Sequence, residues 1–337
     1  MNRNWIVGIL AGILMMPFLV AGARAQSPFY EGKTITIVIG TASGGSIVAA
    51  RIIARQLGKY LPGNPTVVVQ SMLGGAHIVA SNHTFNTAKP DGLTLIAANP
   101  NIAIAQLVKV EGVRFDVRKF EWLGSSGSDG VVLTIRPDLP YKTFEELRKA
   151  DRELVVGTTG PGSNAHDFPL LLKEFAGAKF KLVSGYPANS DILLALERKE
   201  VDVWAAFAAT VRPVAQRGAV RPLVRARVSS PGFDHLPVDE TLTTNPVGKA
   251  LMSIKTAPLA VGRPLAAPPG TPADRVALLR EALAKALKDP ELEADGRKAQ
   301  IDFRHIPAED VAKGMAGILQ QPPEVQQEMV KYIKFGS

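Results

Sequence analysis

Residues 34–61 read TITIVIGTASGGSIVAARIIARQLGKYL. The first six positions, Thr34 to Ile39, are all β-branched, which marks a strand. Small residues fill the stretch from Gly40 to Ser46. From Val48 to Leu61 the spacing turns helical. Ile52, Ile53, Gln56, Leu57 and Tyr60 fall near one side, and Arg51, Arg55 and Lys59 recur every four residues on another. Pro62-Gly63-Asn64-Pro65 then stops the helix. Strand, small-residue loop and helix in that order are the unit of an α/β fold.

The alternation continues along the chain. Residues 66–70 and 93–97 read as strands, separated by a helix that Gly74-Gly75 opens and Phe85 ends, and by a turn at Pro90-Asp91-Gly92. A second unit follows Trp122-Leu123-Gly124. It holds strands at 131–135, 154–157 and 201–204, a short helix at 142–149, and a helix at 192–198 behind the caps Asn189 and Ser190. Thr271-Pro272-Ala273-Asp274 starts a helix with Leu278, Leu279, Leu283 and Leu287 on its apolar face. Two closing helices are expected at 307–319 and 324–333. The expectation is an α/β fold with mostly parallel sheets flanked by helices.

Arg3 precedes an apolar run over residues 5–20, which ends in Ala23-Arg24-Ala25. A positive start, an apolar middle and a small-x-small end describe a signal peptide over 1–25, cleaved after Ala25, and so export to the periplasm. The alternative, an uncleaved anchor, asks for about 20 apolar residues. Cleavage takes Arg3 and Arg24 and no acid, lowering the formal charge of +8 by two to +6. Lys and Arg are dispersed, without a basic run or basic–aromatic interleaving, so no nucleic-acid partner is expected. A mildly cationic surface steers anions instead. The chain has no cysteine, which removes disulfides, thiolate metal sites and cysteine nucleophiles.

Two loops share one design. Thr41-Ala42-Ser43-Gly44-Gly45-Ser46 and Thr158-Thr159-Gly160-Pro161-Gly162-Ser163 each join a strand to a helix. Small residues let a ligand approach the backbone, and free N–H groups at a helix start favour an anion. In open α/β sheets ligands lie beyond the carboxyl ends of strands, where both loops stand. The plainer reading is a pair of tight turns capped by serine. Gly160-x-Gly162-x-x-Ala165 also fits the dinucleotide fingerprint, yet the acid expected about 20 residues on is missing. His166 follows Ser163 by three residues and is a candidate anion donor; Ser163 with His166 is also the one candidate nucleophile and base, with no evident orienting acid, Asp167 being expected to point elsewhere. Asp202 and Asn99, with Asn101 beside it, are further candidates for the cleft. No histidine pair has metal-ligand spacing, and neither a catalytic role, a metal nor a cofactor is expected.

Taken in order, these motifs resemble the tripartite tricarboxylate transporter receptors, the Bug family. The resemblance runs through Ile35 to Ile39, Gly44-Gly45, Ala50-Arg51, residues 61–70 (LPGNPTVVVQ), Gly74-Gly75-Ala76, Lys89-Pro90-Asp91-Gly92, residues 120–126 (FEWLGSS), residues 160–166 (GPGSNAH) and residues 267–272 (APPGTP). It implies a two-lobed clamshell of the periplasmic type II kind that closes on a small carboxylate and delivers it to a membrane permease of the tripartite tricarboxylate type. It also implies that the two loops hold the ligand, that Ser126 lies at the crossover between lobes, and that Asp202 matches a family acid. The sequence departs from the family pattern in three places. Gly40 and Thr41 stand where an aromatic is common, and Ile47-Val48 where an acid is common. The segment from Gly44 to Arg51 is one residue short. Pro169 falls inside the helix that Ser163 would cap, so that helix is expected to begin near Asp167. Lobe I is expected at 26–123 plus 235–337 and lobe II at 124–234. The expected molecule is a monomeric receptor; an exported hydrolase and a ligand sensor for a membrane partner are the alternatives.

Overall fold

The computed structural model describes residues 28–42 and 45–333. The expected cleavage point at Ala25 and the loop residues Ser43 and Gly44 lie outside them. In the first lobe, β1 (Thr34–Ile39) leads through α1 (Gly45–Leu57), β2 (Thr66–Ser71), α2 (Ile78–Asn86), β3 (Thr94–Ala97) and α3 (Ile102–Leu107) to β4 (Glu121–Ser125). The second lobe holds β5 (Val131–Ile135), α4 (Phe144–Leu147), β6 (Leu154–Thr158), α5 (Asn164–Ala176), β7 (Phe180–Ser184), α6 (Asn189–Glu197), β8 (Val203–Phe207), α7 (Ala208–Gln216) and β9 (Arg221–Arg225). The chain returns through α8 (Pro246–Val261) to β10 (Pro264–Ala267), and closes with α9 (Ala273–Ala286), α10 (Pro290–Ala299), α11 (Ala308–Leu319) and α12 (Pro323–Tyr332).

Strand order is β2-β1-β3-β10-β4 in one sheet and β7-β6-β8-β5-β9 in the other. β1 pairs in parallel with β2 and β3, and β6 with β7 and β8. β10 and β5 run antiparallel to both their neighbours. Each sheet is therefore mixed: one strand runs against the rest, and it is the first strand formed after the chain crosses between lobes. The expected β-branched strand lies inside the sheet beside its edge, with Ile35, Ile37, Val38 and Ile39 buried, while edge strand β2 leaves Thr66, Val68, Gln70 and Ser71 exposed. Inside fully buried β5, Thr134 donates its hydroxyl to the Trp204 carbonyl at 2.9 Å, so the one polar side chain there is satisfied.

Several boundaries differ from the sequence reading, for local reasons. α1 starts at Gly45 and stops at Leu57, before a 3-10 turn at Gly58–Tyr60. A Cβ on Gly58 would stand 2.3 Å from the Pro65 carbonyl oxygen, so the returning chain crosses just there. The helix expected from Gly74-Gly75 is divided, because His77 takes a left-handed φ of 77° between a 3-10 turn and α2. α5 begins at Asn164 despite Pro169, rather than near Asp167. The first-turn bond from Asp167 N–H to the Ser163 carbonyl forms at 2.9 Å, so the proline removes a bond only further along the helix.

The return between lobes also differs. Val238 still bridges to Arg225 of the second sheet, and α8 packs on α5. The first sheet is rejoined only at Pro264, so the crossing lies at Gly262-Arg263 rather than at 235. α12 seats on α5 and α8, with Phe175 and Tyr332 rings 5.3 Å apart, so the last helix packs on lobe II elements rather than on lobe I.

The crossing is a small backbone ladder. Arg263 N–H donates to the Gly127 carbonyl at 3.2 Å, Ser126 N–H to Arg263 at 3.1 Å, and Arg304 N–H to Ser126 at 3.2 Å. Gly262 has φ 73°, and a Cβ there would lie 1.9 Å from the Gly127 oxygen. Gly262→Ala is expected to cost about 2–4 kcal/mol from strain and overlap combined. Gly232→Ala, at φ 90° with open space around it, should cost only the strain. Denaturant unfolding of the two variants measures the difference.

Candidate functional site

The carboxyl ends of β1, β3 and β8, with the segment after β6, open on one cavity of about 1290 Å3 between the lobes. Ile39 and Ala97 line it from the first sheet, and Thr159 and Phe207 from the second. This is where an open α/β sheet places a ligand.

On the first loop, Gly45 and Ser46 line the cavity. Thr41 and Ala42 precede that wall and are not part of it; the Thr41 carbonyl accepts the Ser71 hydroxyl at 2.9 Å, which ties the loop to β2. α1 has no acid in its first turn, so its positive end is not neutralised by its own side chains. Gly40 gives this wall its shape: a Cβ there would stand 2.5 Å from His77 Nδ1. His77 lines the cavity, and its Nδ1 is buried with no hydrogen-bond partner among the described residues. Burial lowers its pKa, which favours the neutral ring.

The second loop is built differently from the expectation. Thr159, Gly162 and Ser163 line the cavity, whereas Gly160, Pro161 and His166 do not. Ser163 does not cap α5 with its side chain; its hydroxyl donates to the Gly160 carbonyl at 2.6 Å. Asp167, fully buried, accepts the Gly162 N–H at 3.1 Å and lies 2.9 Å from His166 Nδ1, so it points into this loop after all. Lys255 of α8 reaches across to Asp167 at 2.7 Å and donates to the Gly162 carbonyl at 3.1 Å. Burial pushes the Asp167 carboxyl upward, but Lys255, His166 and the Gly162 N–H together hold it below the usual range. The start of α5 thus already carries a carboxylate. The serine hydroxyl and the imidazole are turned to separate partners, Gly160 and Asp167.

Asp202 is corrected. It precedes β8 at the end of the sheet away from the cavity, 5% exposed. Its carboxylate takes Arg152 at 2.7 and 3.0 Å, Arg136 at 3.1 Å and the Val155 N–H at 2.9 Å. It holds the second sheet together and does not reach the cleft. Asn99 and Asn101 do line the cavity, the side-chain oxygen of Asn99 accepting the Asn101 N–H at 2.9 Å. Ser126 lies in the crossing and lines the cavity floor, fully buried.

Sequence reasoning missed the hinge wall. Arg212, Arg263 and Arg304 line it together with Asp129 and Asp302. They come from four separate segments, so no spacing announces them. Arg212 pairs with Asp302 at 3.2 Å, and Arg304 donates to the Ser128 hydroxyl at 3.0 Å. Burial pushes Asp129 up to about 6, against the pull of Arg263, the Ala209 N–H and Arg212. That N–H belongs to the first turn of α7, so a second helix start in lobe II carries a protein carboxylate.

Two expectations follow. Lys255→Met strands the buried Asp167 charge and should cost about 3–5 kcal/mol, most of it recovered by adding Asp167→Asn, as unfolding titrations would read. Because the folded pKa of Asp129 is raised, its contribution to stability is full below about pH 4 and is lost as pH rises through about 6. Asp129→Asn should therefore lose less stability than the parent chain between pH 4 and pH 8.

The family profile described as tripartite tricarboxylate transporter family receptor matches residues 49–329. An Agrobacterium vitis UPF0065 protein from the TAR-I ttuE-ttuC' intergenic region is 28% identical over 296 residues, which cover 86% of this chain and 80% of that one. The structure resembles a TctC solute binding protein from Polaromonas, solved with no ligand, at TM-score 0.70 and 19% identity, covering 90% of this chain and 99% of that one. It also resembles an R. palustris protein solved with adipate, at TM-score 0.63 and 20% identity, covering 89% and 97%.

Proposed function

Because the chain belongs to the tripartite tricarboxylate transporter receptor family, we propose that it is an exported, monomeric receptor that binds a small carboxylate between its lobes and passes it to a membrane permease of the tripartite tricarboxylate type. The observation that carries this reading is the shared cavity: both lobes line it, and the positive end of α1 meets it without an acid of its own. The first loop, residues 41–46, takes one end of the ligand through Gly45 and Ser46. Asn99 and Thr159 supply amide and hydroxyl groups around it, and Gly162 and Ser163 shape the facing wall. The adipate held by the R. palustris relative is a small carboxylate of this kind. A receptor of this type resides in the periplasm, the compartment that the sequence of residues 1–25 addresses. Binding and release need no chemistry on the ligand, in line with the separate partners of Ser163 and His166.

Thermal unfolding of the chain from Gln26 onward, with mono-, di- and tricarboxylates, amino acids and neutral sugars, tests the reading. An acid at 100 times its Kd should stabilise by about 2.7 kcal/mol, while sugars should not. Gly45→Leu should keep the melting temperature, since a Cβ at Gly45 meets nothing within 4 Å. It should weaken acid binding by about tenfold or more, or 1.4 kcal/mol. Stabilisation by no acid in the parent chain overturns the proposal.

A further inference from the structure

The charged side chains lining the cavity all stand on its hinge side: Asp129, Asp302, Arg212, Arg263 and Arg304. The three arginines are not equivalent. Arg212 has its carboxylate, Asp302, and Arg304 is exposed to solvent. Arg263 has neither. No carboxylate among the described residues lies within ion-pair distance of it. The one hydrogen bond of its guanidinium among them runs from Nη2 to the Asp302 backbone carbonyl at 2.8 Å, and its Nε is buried without a partner. The Phe303 ring lies 5.9 Å away, which leaves the charge in place. Asp129 and Asp302 act on this partly buried guanidinium only through space, so most of its N–H donors remain for an anion brought to it.

The starts of α5 and α7 already hold the carboxylates of Asp167 and Asp129. Beside these charges the cavity also offers apolar wall: Leu259, Leu265 and Phe303 line it, and Phe207 remains 40% exposed there. A ligand covering Phe207 would remove that surface from water.

The geometry points to Arg263 as the specificity-determining residue of this cavity, its guanidinium taking the acidic group of a ligand whose body is apolar. This rests on the receptor reading above. It adds a hinge subsite to the two loops, and it favours acids whose apolar body packs against Phe207 and Phe303.

Calorimetric titration of adipate and phenylacetate, each beside its neutral amide, tests this on the parent chain, R263Q and R263K. The parent chain should bind at least one of the acids and neither amide. R263Q should lose about 30-fold on that acid, and R263K, which keeps the charge, less than about tenfold. A merely structural Arg263 would change melting temperature in both variants and leave acid-over-amide discrimination intact. If R263Q does not fold, 15N spectra of the arginine Nε–H groups in the parent chain serve instead: the acid should shift one buried resonance, absent in R263K, and the amide should not. R263Q binding the acid within about threefold of the parent overturns this inference and leaves the receptor standing. Binding of neither probe, while other acids stabilise the chain, does the same; stabilisation by no acid removes both.

Discussion

The two lobes meet where the Gly127 carbonyl accepts the Arg263 N–H, with Gly262 pressed against the same oxygen. Only a residue without a side chain permits that approach. The short ladder among Ser126, Arg263 and Arg304 sets where β4 leaves the first sheet and where β10 returns to it. It also sets which strand runs backwards in each sheet. Since the cavity lies between the sheets, its floor is made of the same few residues that join them. A change in this ladder acts on fold and site together.

Charge around the cavity is divided unevenly between the lobes. α1 presents its positive end with no acid in its first turn. α5 and α7 in the second lobe are each met by a buried or half-buried aspartate. Lys255, from the helix that carries the chain back to the first lobe, completes the Asp167 cluster and pins the second loop to the return path. Two loops that look alike in sequence therefore differ in field: one is open to an anion, the other already holds one.

The β-branched run at 34–39 and the period of residues 48–57 identify strand and helix because each is a local property of side-chain spacing. The glycine loops were legible for the same reason. Gly45, Ser46, Asn99, Thr159, Gly162 and Ser163 do stand at the cavity, since the end of a strand is also the edge of its sheet. Asp202 stands before β8, and which end of that strand faces the other lobe depends on how the two sheets are set against each other, which no local spacing encodes. The start of α5 was misjudged because proline looks prohibitive in sequence, while a helix can omit one bond if its first turn closes.

By itself the sequence determined the alternation of elements, the α/β class and the small-residue loops at strand ends, all of which follow from contacts a few residues apart. The ordered motifs also pointed to the family. Only the tertiary structure decided where the chain recrosses, which of the two loops keeps its field, and that Arg263 stands at the cavity with no carboxylate in direct contact among the described residues. These depend on pairs such as Asp167 with Lys255, or Gly127 with Arg263, which lie far apart along the chain. Burial and electrostatic pairing arise only when such segments meet in space, and no local spacing encodes that meeting.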